Sequence, residues 1–493
     1  MTSETQARAH APMHPTRVIA ILGLAALAFS LSQTMVVPAL GTLQEELHTT
    51  ASGATWTVTA YLLAAAVATP VVGRLGDMFG KRRLLIVALG FFTLGSVVSA
   101  LGDSLGVVIA GRILQGVGGG IFPLCFAIIR DELPREKVAV GIGMISAVLA
   151  IGGALGLVIG GLLLDHASYH WIFWVGAGLG VVGVVGSYLG VPESPIRIPG
   201  KVDVRGALVF GVGIVLPLLA ISNANDWGWG SARVLAMIVA GIAILAAWVA
   251  LQQRTAEPIA HIPTLRRPAV FFTNLATVLV GFGMFGAFVL IPQLLQSPEA
   301  TGYGFDLDAT QSGLVMVPGA LVAMVAAPIS GRMSGRFGSH VPLAIGGVLA
   351  ALGLLMLGEL HDTIALIVIG YAVSAVGIGL AFAAMPNLIV AAVPAERTGE
   401  ATGFNTVMRS VGSSIGSQIA ATILTASVVV GSPLPTDDGF TTAFVVMAIG
   451  SLVAGGIAAL IPRLSRADVA ATAAASAESG EPRPAELVTA GRG

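Results

Sequence analysis

The sequence predicts an all-α integral membrane protein that crosses the bilayer fourteen times. Three observations predict it: an apolar composition, the number and length of the apolar runs, and the positions of the basic residues. The chain of 493 residues is 55% hydrophobic and 10% charged, with a mean hydropathy of +0.89. A soluble protein of this size needs more polar surface than that. We therefore expect lipid to surround much of the chain.

Fourteen apolar runs follow one another along the chain, separated by polar or charged segments. A helix rises about 1.5 Å per residue, so roughly 20 apolar residues cross the hydrocarbon core. Runs of about this size predict fourteen spans: Arg17–Leu40, Ala54–Val72, Leu84–Leu101, Leu105–Ile129, Val138–Leu164, Trp171–Val191, Val204–Ser222, Val234–Leu251, Ala269–Leu295, Gln311–Ser330, Leu343–Leu360, Ile364–Val393, Ala401–Val430 and Phe440–Ile461.

The basic residues indicate which ends of these spans face the cytoplasm, because cytoplasmic loops retain Lys and Arg during insertion. Arg233 lies on one side of the predicted membrane, and Arg112 and Arg409 lie within spans. The other basic residues, 25 − 3 = 22 of them, fall on the opposite side. We expect a multi-pass protein of the cell (inner) membrane with both termini in the cytoplasm.

An internal repeat indicates the architecture. The segment Gly73–Gly80 (GRLGDMFG) is echoed by Gly331–Gly338 (GRMSGRFG) at an offset of 331 − 73 = 258. Pro134 before span 5 recurs as Pro394 before span 13, an offset of 394 − 134 = 260. Spans 1–6 thus correspond to spans 9–14, and parallel repeats of this kind predict two similar lobes with a path between them.

This repeat sets the predicted domain boundaries. We expect a cytoplasmic N-terminal tail at residues 1–16 and a six-helix lobe at residues 17–191. Residues 192–265 are a linker with two inserted transmembrane helices, and residues 266–463 form the second six-helix lobe. Residues 464–493 have too little apolar surface to fold and predict a disordered cytoplasmic tail.

The first copy of the repeat carries a candidate conformational switch at Gly73, Asp77, Gly80, Lys81 and Arg82. Glycines permit a tight turn and close helix approach, and a carboxylate pairs with a cation or faces a helix N-terminus. This segment resembles the loop between spans 2 and 3 of the major facilitator superfamily, and the resemblance covers nearly the whole chain. It implies the major facilitator fold. It also implies that Asp77 helps to latch the lobes in the outward-facing state, with Arg130 and the start of span 13 near Gly399 as partners.

A second candidate group comprises polar residues inside the predicted spans. Arg112, Gln115 and Gly116 in span 4 are similar to a span-4 motif of the family, which implies proton relay or anion contact for Arg112. A charge within a span is costly and predicts a polar cavity or partner. Other polar side chains that could line the path are Gln33, Asn405 and Arg409.

Span 5 carries a ridge of small residues at helical spacing, which favours close helix packing. Its members are Gly152, Gly156, Gly160 and Gly161. The ridge resembles the antiporter motif of drug exporters, and the fourteen-span count resembles the fourteen-span drug/proton antiporter branch. Leu157 and Ser32 stand where that branch usually has a proline and an acidic residue. No acidic residue lies in the middle of a predicted span, so the sequence leaves proton coupling open.

We expect an exporter of small amphiphilic molecules, of the drug-efflux type, that works by alternating access with ion or proton coupling. An alternative is a facilitator or exporter of a neutral or anionic metabolite without proton coupling, which the cations Arg112 and Arg409 favour. A third class, a membrane enzyme or sensor, is disfavoured because no catalytic cluster is evident. The expected partners are a small-molecule substrate, protons and the bilayer. We expect a monomer with no cofactor, no metal and, at a net charge of −1, no affinity for nucleic acid.

Overall fold

The computed structural model describes residues 15–49, 51–194, 201–428 and 434–462, and these ranges are mainly helical. Fourteen long helices follow in chain order, with shorter helical turns between some of them. They are α1 (Pro15–Thr34), α2 (Ala51–Phe79), α3 (Lys81–Ala100), α4 (Leu105–Glu132), α5 (Arg135–His166), α6 (Tyr169–Gly190), α7 (Val204–Ser222), α8 (Ala232–Arg254), α9 (Pro268–Gln296), α10 (Ala309–Phe337), α11 (His340–Glu359), α12 (Ile364–Ala392), α13 (Thr398–Ala426) and α14 (Asp437–Ala458).

Thirteen of these helices are long and apolar enough to cross a membrane within the described ranges. The exception is α13, which is 29 residues long but contains Glu400, Asn405, Arg409 and a series of Ser and Thr residues. A helix this polar is compatible with a bilayer when its polar face is turned towards protein. In agreement with that rule, α13 packs between α9 and α2.

The long helices form two lobes with matching contacts, which confirms the predicted fold class. In the first lobe α1 packs on α5 and α6, and α3 packs on α4 and α6. In the second lobe the corresponding helices make the same pairs, because α9 packs on α13 and α14, and α11 packs on α12 and α14.

The most extensive contacts between the lobes are two helix crossings, α2 with α13 and α5 with α10; α12 also contacts α5, and α13 contacts α4. A Cβ atom at Gly73 would collide with the carbonyl oxygen of Gly399, and one at Gly331 would collide with that of Ala139. The two contacts are equivalent in the repeat, because Gly331 corresponds to Gly73 (331 − 73 = 258) and Gly399 corresponds to Ala139 (399 − 139 = 260). The glycines are therefore needed for backbone approach between the lobes.

The inserted helices α7 and α8 pack against each other and cover the crossing of α2 with α13. The rings of Phe210 on α7 and Trp248 on α8 lie 5.4 and 5.7 Å from the ring of Phe404 on α13. At the other end of the pair, Trp229 donates a hydrogen bond of 2.8 Å to Thr422. This helix pair is thus fixed to α13 along its length.

Two predicted boundaries near the first repeat were wrong. The helix α2 ends at Phe79 rather than Val72, so Gly73–Phe79 are helical, and Gly80, with φ of 112°, forms the turn before α3. Contacts with the second lobe bury the polar end of this helix, so a drop in hydropathy does not end it. The helix α1 ends at Thr34, and a short helix spans Leu40–Glu46. The predicted tails lie outside the described residues, apart from residues 15 and 16.

Candidate functional site

A narrow cavity lies between the two lobes, roughly midway along the helices. Ser146 and Arg409 line it, and each is 11 residues from the start of its helix, since 146 − 135 = 11 and 409 − 398 = 11. At about 1.5 Å per residue, both lie roughly 16 Å into the bundle. The lining residues are Phe122, Phe126, Ser146 and Leu149 from the first lobe and Phe382, Met385, Pro386, Asn405, Thr406 and Arg409 from the second.

Two of the predicted path residues lie in this cavity. The guanidinium of Arg409 lies 5.2 Å from the centre of the Phe382 ring. Asn405 donates hydrogen bonds of 2.9 Å to Asn274 and 2.8 Å to Thr277, both on α9. These bonds fix the amide, whereas Arg409 makes no ion pair within the described residues.

Arg112, Gln115 and Gly116 form a separate cluster inside the first lobe and do not line the cavity. The Arg112 side chain is fully buried and donates to the carbonyl oxygens of Thr57 (2.8 Å) and Ser32 (3.1 Å) and to the Gln115 side chain (2.8 Å). Its guanidinium also lies 4.1 Å from the Tyr61 ring centre. A buried cation is solvated here by carbonyl dipoles and a ring face. Arg112 thereby ties α4 to α1 and α2.

The remaining residues of the predicted path have packing or peripheral positions. A Cβ at Gly116 would collide with Ala64 of α2, so this glycine serves close packing of α4 on α2. Gln33 is half-buried on α1, next to Ser32. The structure therefore divides the predicted path residues between the cavity and the first lobe.

Asp77 caps the start of α13 at the crossing with α2. Its side chain is 1% exposed and accepts hydrogen bonds from the backbone N–H groups of Gly399 (3.3 Å) and Glu400 (3.0 Å). The first N–H groups of a helix lack partners within the helix and carry partial positive charge, so a carboxylate stabilises this end. This contact joins the two lobes.

Arg130 makes a second set of bonds between the lobes beside Asp77. It donates to the carbonyl oxygens of Val393 (2.8 Å) and Pro394 (3.2 Å) and to the Thr398 hydroxyl (2.6 Å). The expected direct pair with Asp77 is not what the structure contains, because Arg130 binds the chain just before α13 and Asp77 binds the helix start. The two side chains together hold the N-terminus of α13 against the first lobe.

We call the residues Asp77, Arg130, Lys81 and Asp131 the latch. Lys81 and Asp131 form a buried ion pair of 2.5 Å, with side chains 0% and 1% exposed, and Ser194 also donates to Asp131. A buried charge needs a partner of this kind. Sequence reasoning placed Lys81 in the switch but missed Asp131, which nothing in the loop motif singles out. Arg82 lies beside the latch, 5.4 Å from the Tyr188 ring.

A linker contact that the sequence did not predict adjoins the latch. Glu400, 1% exposed, accepts a hydrogen bond of 2.6 Å from the backbone N–H of His261 in the segment between α8 and α9. The pKa of His261 is lowered to about 4, chiefly by burial and in addition by the nearby positive charges of Arg397, Arg267 and Arg74. His261 is therefore neutral at physiological pH.

The glycine ridge of α5 has two functions in packing. Cβ atoms at Gly152 and Gly156 would collide with Ser30 and Thr34 of α1, and one at Gly160 with the backbone of Met35 just after α1. A Cβ at Gly161 would lie 2.9 Å from the Thr310 hydroxyl on α10. The first three glycines thus pack helices within a lobe, and the last faces the other lobe. Within the described residues, no group of three or more His, Cys, Asp or Glu side chains could hold a metal ion.

Comparison with known proteins agrees with this arrangement. The family model described as Major Facilitator Superfamily matches residues 22–417. The chain is 27% identical over 391 residues to a tetracenomycin C resistance and export protein of Streptomyces glaucescens, covering 78% of this chain and 71% of the relative. It is 29% identical over 395 residues to the multidrug resistance protein Stp of Mycobacterium tuberculosis, covering 79% and 72%.

Two solved structures share the fold at low sequence identity. The proton:xylose symporter XylE aligns with a TM-score of 0.64 and 14% identity, over 93% of this chain and 98% of XylE. The human organic anion transporter MFSD10 aligns with a TM-score of 0.62 and 14% identity, over 90% and 99%. Because the family model spans most of the chain and the helices form two matching lobes, the chain belongs to the major facilitator superfamily.

Proposed function

We propose that the protein exports small amphiphilic molecules across the cell (inner) membrane by alternating access, as a monomer with both termini in the cytoplasm. The observation that carries the proposal is the midplane cavity, because both lobes contribute its walls and a relative movement of the lobes changes its access. The relatives support export of a drug-like substrate, since one is a tetracenomycin C resistance and export protein and the other a multidrug resistance protein.

The latch supports an outward-facing state for the described conformation. Asp77 and Arg130 join the lobes at the end of the bundle that carries the basic loops, which the sequence predicts to be cytoplasmic. Opening of the cavity to the cytoplasm requires these bonds to break. The latch therefore sets the relative stability of the two access states.

Proton coupling, if the transporter uses it, acts on the carboxylates near the latch. Asp77 and Glu400 are each 1% exposed, and both accept backbone hydrogen bonds at the start of α13 or from the linker. Protonation removes the negative charge that caps the helix and so weakens the closed latch. In this scheme, a proton taken up by the latch favours the inward-facing state.

A second candidate function is export of a neutral or anionic substrate without proton exchange. The observation that favours it is the composition of the cavity, because none of its lining residues is acidic. A cavity carboxylate is the usual proton carrier and counter-ion for cationic drugs. The alternative keeps the same fold, cavity and latch.

Flux measurements in inverted vesicles test both candidates. Vesicles with the wild-type protein should accumulate an amphiphilic dye, and vesicles with Asp77→Asn should not. An imposed pH gradient should accelerate the wild-type flux if protons are exchanged. Flux that ignores the gradient contradicts coupling and leaves export intact, whereas no accumulation of any dye contradicts export.

A further inference from the structure

The cavity between the lobes is built from equivalent residues of the two repeats. Phe122 corresponds to Phe382, since 382 − 122 = 260, and Ser146 corresponds to Thr406, since 406 − 146 = 260. Each lobe therefore contributes an aromatic ring and a hydroxyl group at the same position. A ligand in this cavity contacts two similar faces.

Two pairs of equivalent lining positions differ between the lobes, Phe126 with Pro386 and Leu149 with Arg409, and the second pair differs in charge. Leu149 corresponds to Arg409, since 409 − 149 = 260, so one face presents methyl groups and the other a guanidinium. None of the lining residues is acidic, and Arg409 makes no ion pair within the part of the chain that the structure describes. Carbonyl oxygens solvate Arg112, but an arginine that lines a cavity in a membrane bundle without a counter-ion marks a substrate or ion pathway.

Ser146 gives an independent indication of a ligand at the same place. Its hydroxyl is buried, with the residue 3% exposed, and it has no hydrogen-bond partner among the residues that the structure describes. Buried hydroxyls are normally bonded, and an unpartnered one calls for an explanation. A hydroxyl donates one hydrogen bond, so an oxygen of a bound ligand completes its bonding.

Most of the other lining residues are apolar, three of them phenylalanines, and the polar exceptions are Asn405 and Thr406. Phe122 and Phe126 lie 6.2 Å apart between ring centres, and Phe382 and Met385 face the cavity from the other lobe. Such walls accept an aromatic body. The phenylalanine rings, the guanidinium of Arg409 and the Ser146 hydroxyl together suit a ligand with a flat apolar part and one negative group.

We infer that the cavity selects aromatic organic anions, with Arg409 pairing with the anionic group, Ser146 donating a hydrogen bond to it and the phenylalanines holding the ring. This inference rests on the proposed export function and narrows its substrate to one chemical class. It also excludes organic cations as preferred substrates, because the cavity offers them no counter-ion.

Two probes with the same rings test the charge preference. Anilinonaphthalene sulfonate is an anion, and phenylnaphthylamine is its neutral counterpart without the sulfonate. In proteoliposomes, the wild-type protein should transport the sulfonate with a kcat/KM about tenfold higher than that of the neutral probe. Tetraphenylborate should inhibit this transport, and the isosteric cation tetraphenylphosphonium should not.

Variants of Arg409 and Ser146 then test whether these residues cause the preference for the sulfonate probe. Arg409→Gln should lower the kcat/KM of the sulfonate much more than that of the neutral probe, so that the preference for the sulfonate is lost. Arg409→Lys should retain most of the preference, and Ser146→Ala should lower it by about threefold. Arg233→Gln is the matched control, because Arg233 stacks on Trp227 far from the cavity.

The outcomes separate this inference from the proposed function. Equal losses for both probes in Arg409→Gln, or stronger inhibition of the wild type by the phosphonium, overturn the inference. Transport of the neutral probe without the sulfonate overturns the inference and leaves export intact. If the wild type moves neither probe, both the inference and the export proposal fail. The inhibition experiment with tetraphenylborate and tetraphenylphosphonium uses only the wild-type protein. It therefore tests the inference even if a variant does not fold.

Discussion

The two crossings between the lobes have equivalent backbones and different charges. At the crossing of α2 with α13, Asp77 caps a helix start and Lys81 pairs with Asp131. At the crossing of α10 with α5, the equivalent positions are Gly335, Ser339 and Ala391, since 77 + 258 = 335, 81 + 258 = 339 and 131 + 260 = 391. Both crossings thus have close backbone contact, and only the crossing of α2 with α13 has a capping carboxylate and a neighbouring buried ion pair among the described residues.

This difference has a structural basis in the two helices that receive the contact. The α-helix α13 starts at Thr398, after a turn of 3₁₀-helix at Ala395–Arg397, so the N–H groups of Gly399 and Glu400 are free to bind Asp77. The helix α5 starts at Arg135, which places Ala139, the equivalent of Gly399, in its second turn. The N–H of Ala139 is then used within the helix. We conclude that only the first crossing can be capped by a carboxylate.

The largest effect is expected from Asp77→Gly. This variant gives the first crossing the glycine that the second crossing has at the equivalent position, Gly335. Asp77→Gly removes the cap from α13, and we expect the initial rate of export in inverted vesicles to fall by about tenfold or more. Gly335→Ala is the control, since a Cβ there meets no atom within 4 Å and the residue is exposed. Wild-type export by Asp77→Gly, at equal protein level, contradicts a role for the latch.

The buried ion pair gives the next largest effect, on stability. Lys81→Met leaves Asp131 buried without its cation, and we expect a loss of about 3–5 kcal/mol in the free energy of unfolding. The double variant Lys81→Met/Asp131→Leu makes this site uncharged, as at the second crossing, and should recover most of the loss. Reversible unfolding in detergent micelles measures both. Additive losses in the double variant would show that the charges do not act as a pair.

Exchange of one cavity pair tests the symmetry of the lobes. Arg409→Leu should lower transport of anilinonaphthalene sulfonate about tenfold. Adding Leu149→Arg moves the cation to the equivalent position of the first lobe, and we expect about a third of the wild-type rate to return. The same proteoliposome assay measures both variants. No recovery in a double variant with wild-type thermal stability contradicts equivalence of the two faces.

His261 predicts a smaller, pH-dependent effect at the first crossing. Its pKa is lowered from 6.5 to about 4 in the folded protein, so below about pH 6.5 the unfolded chain binds a proton that the folded chain does not. This histidine therefore makes stability fall as the pH drops from about 6.5 to 4 and has no effect above that window. His261→Asn should show a smaller drop in Tm between pH 7 and pH 5 than the wild type. Identical drops contradict the low pKa.

The smallest effect is expected from Gly335→Asp, which gives the second crossing the aspartate that the first crossing has at the equivalent position, Asp77. Gly335→Asp finds no free N–H group on α5, so export should stay within about twofold of the wild-type rate. The vesicle assay used for Asp77→Gly measures it. A rate several times lower would mean that a second latch can form, and that the early start of α5 is not what prevents one.

The sequence predicted the fold from signals that do not depend on tertiary contacts. Apolar length and basic loops predicted the fourteen helices, and the echo of Gly73–Gly80 in Gly331–Gly338 predicted the two matching lobes. The ends of α2 and α10 were both missed, because each helix continues through a polar copy of the repeat, to Phe79 rather than Val72 and to Phe337 rather than Ser330. Hydropathy reports the average environment of a helix and cannot register a partner that is distant in sequence.

The candidate site was predicted in part. In the sequence a motif marks Asp77, a charge within a span marks Arg409, and the family resemblance implies Arg130 as a partner of Asp77. The structure places Asp77 and Arg130 at the start of α13 and Arg409 in the cavity. Asp131 and Ser146 carry no such mark, because an acid at a helix end and a serine in an apolar run are common. Their roles depend on neighbours that only the fold brings close, Lys81 for Asp131 and the second lobe's cavity wall for Ser146. The offset of 260 could have related Ser146 to Thr406 and Leu149 to Arg409 from the sequence alone.

The polar character of α13 also has a consequence for biogenesis. A segment with Glu400, Asn405 and Arg409 is a poor candidate to leave the translocon for lipid alone. Its neighbours α2, α7 and α9 precede it in the chain, so they are synthesised first and offer a protein surface that receives its polar face. The order of synthesis thus provides an assembled groove before the most hydrophilic helix arrives, and a ribosome that stalled earlier would leave this groove open to the membrane.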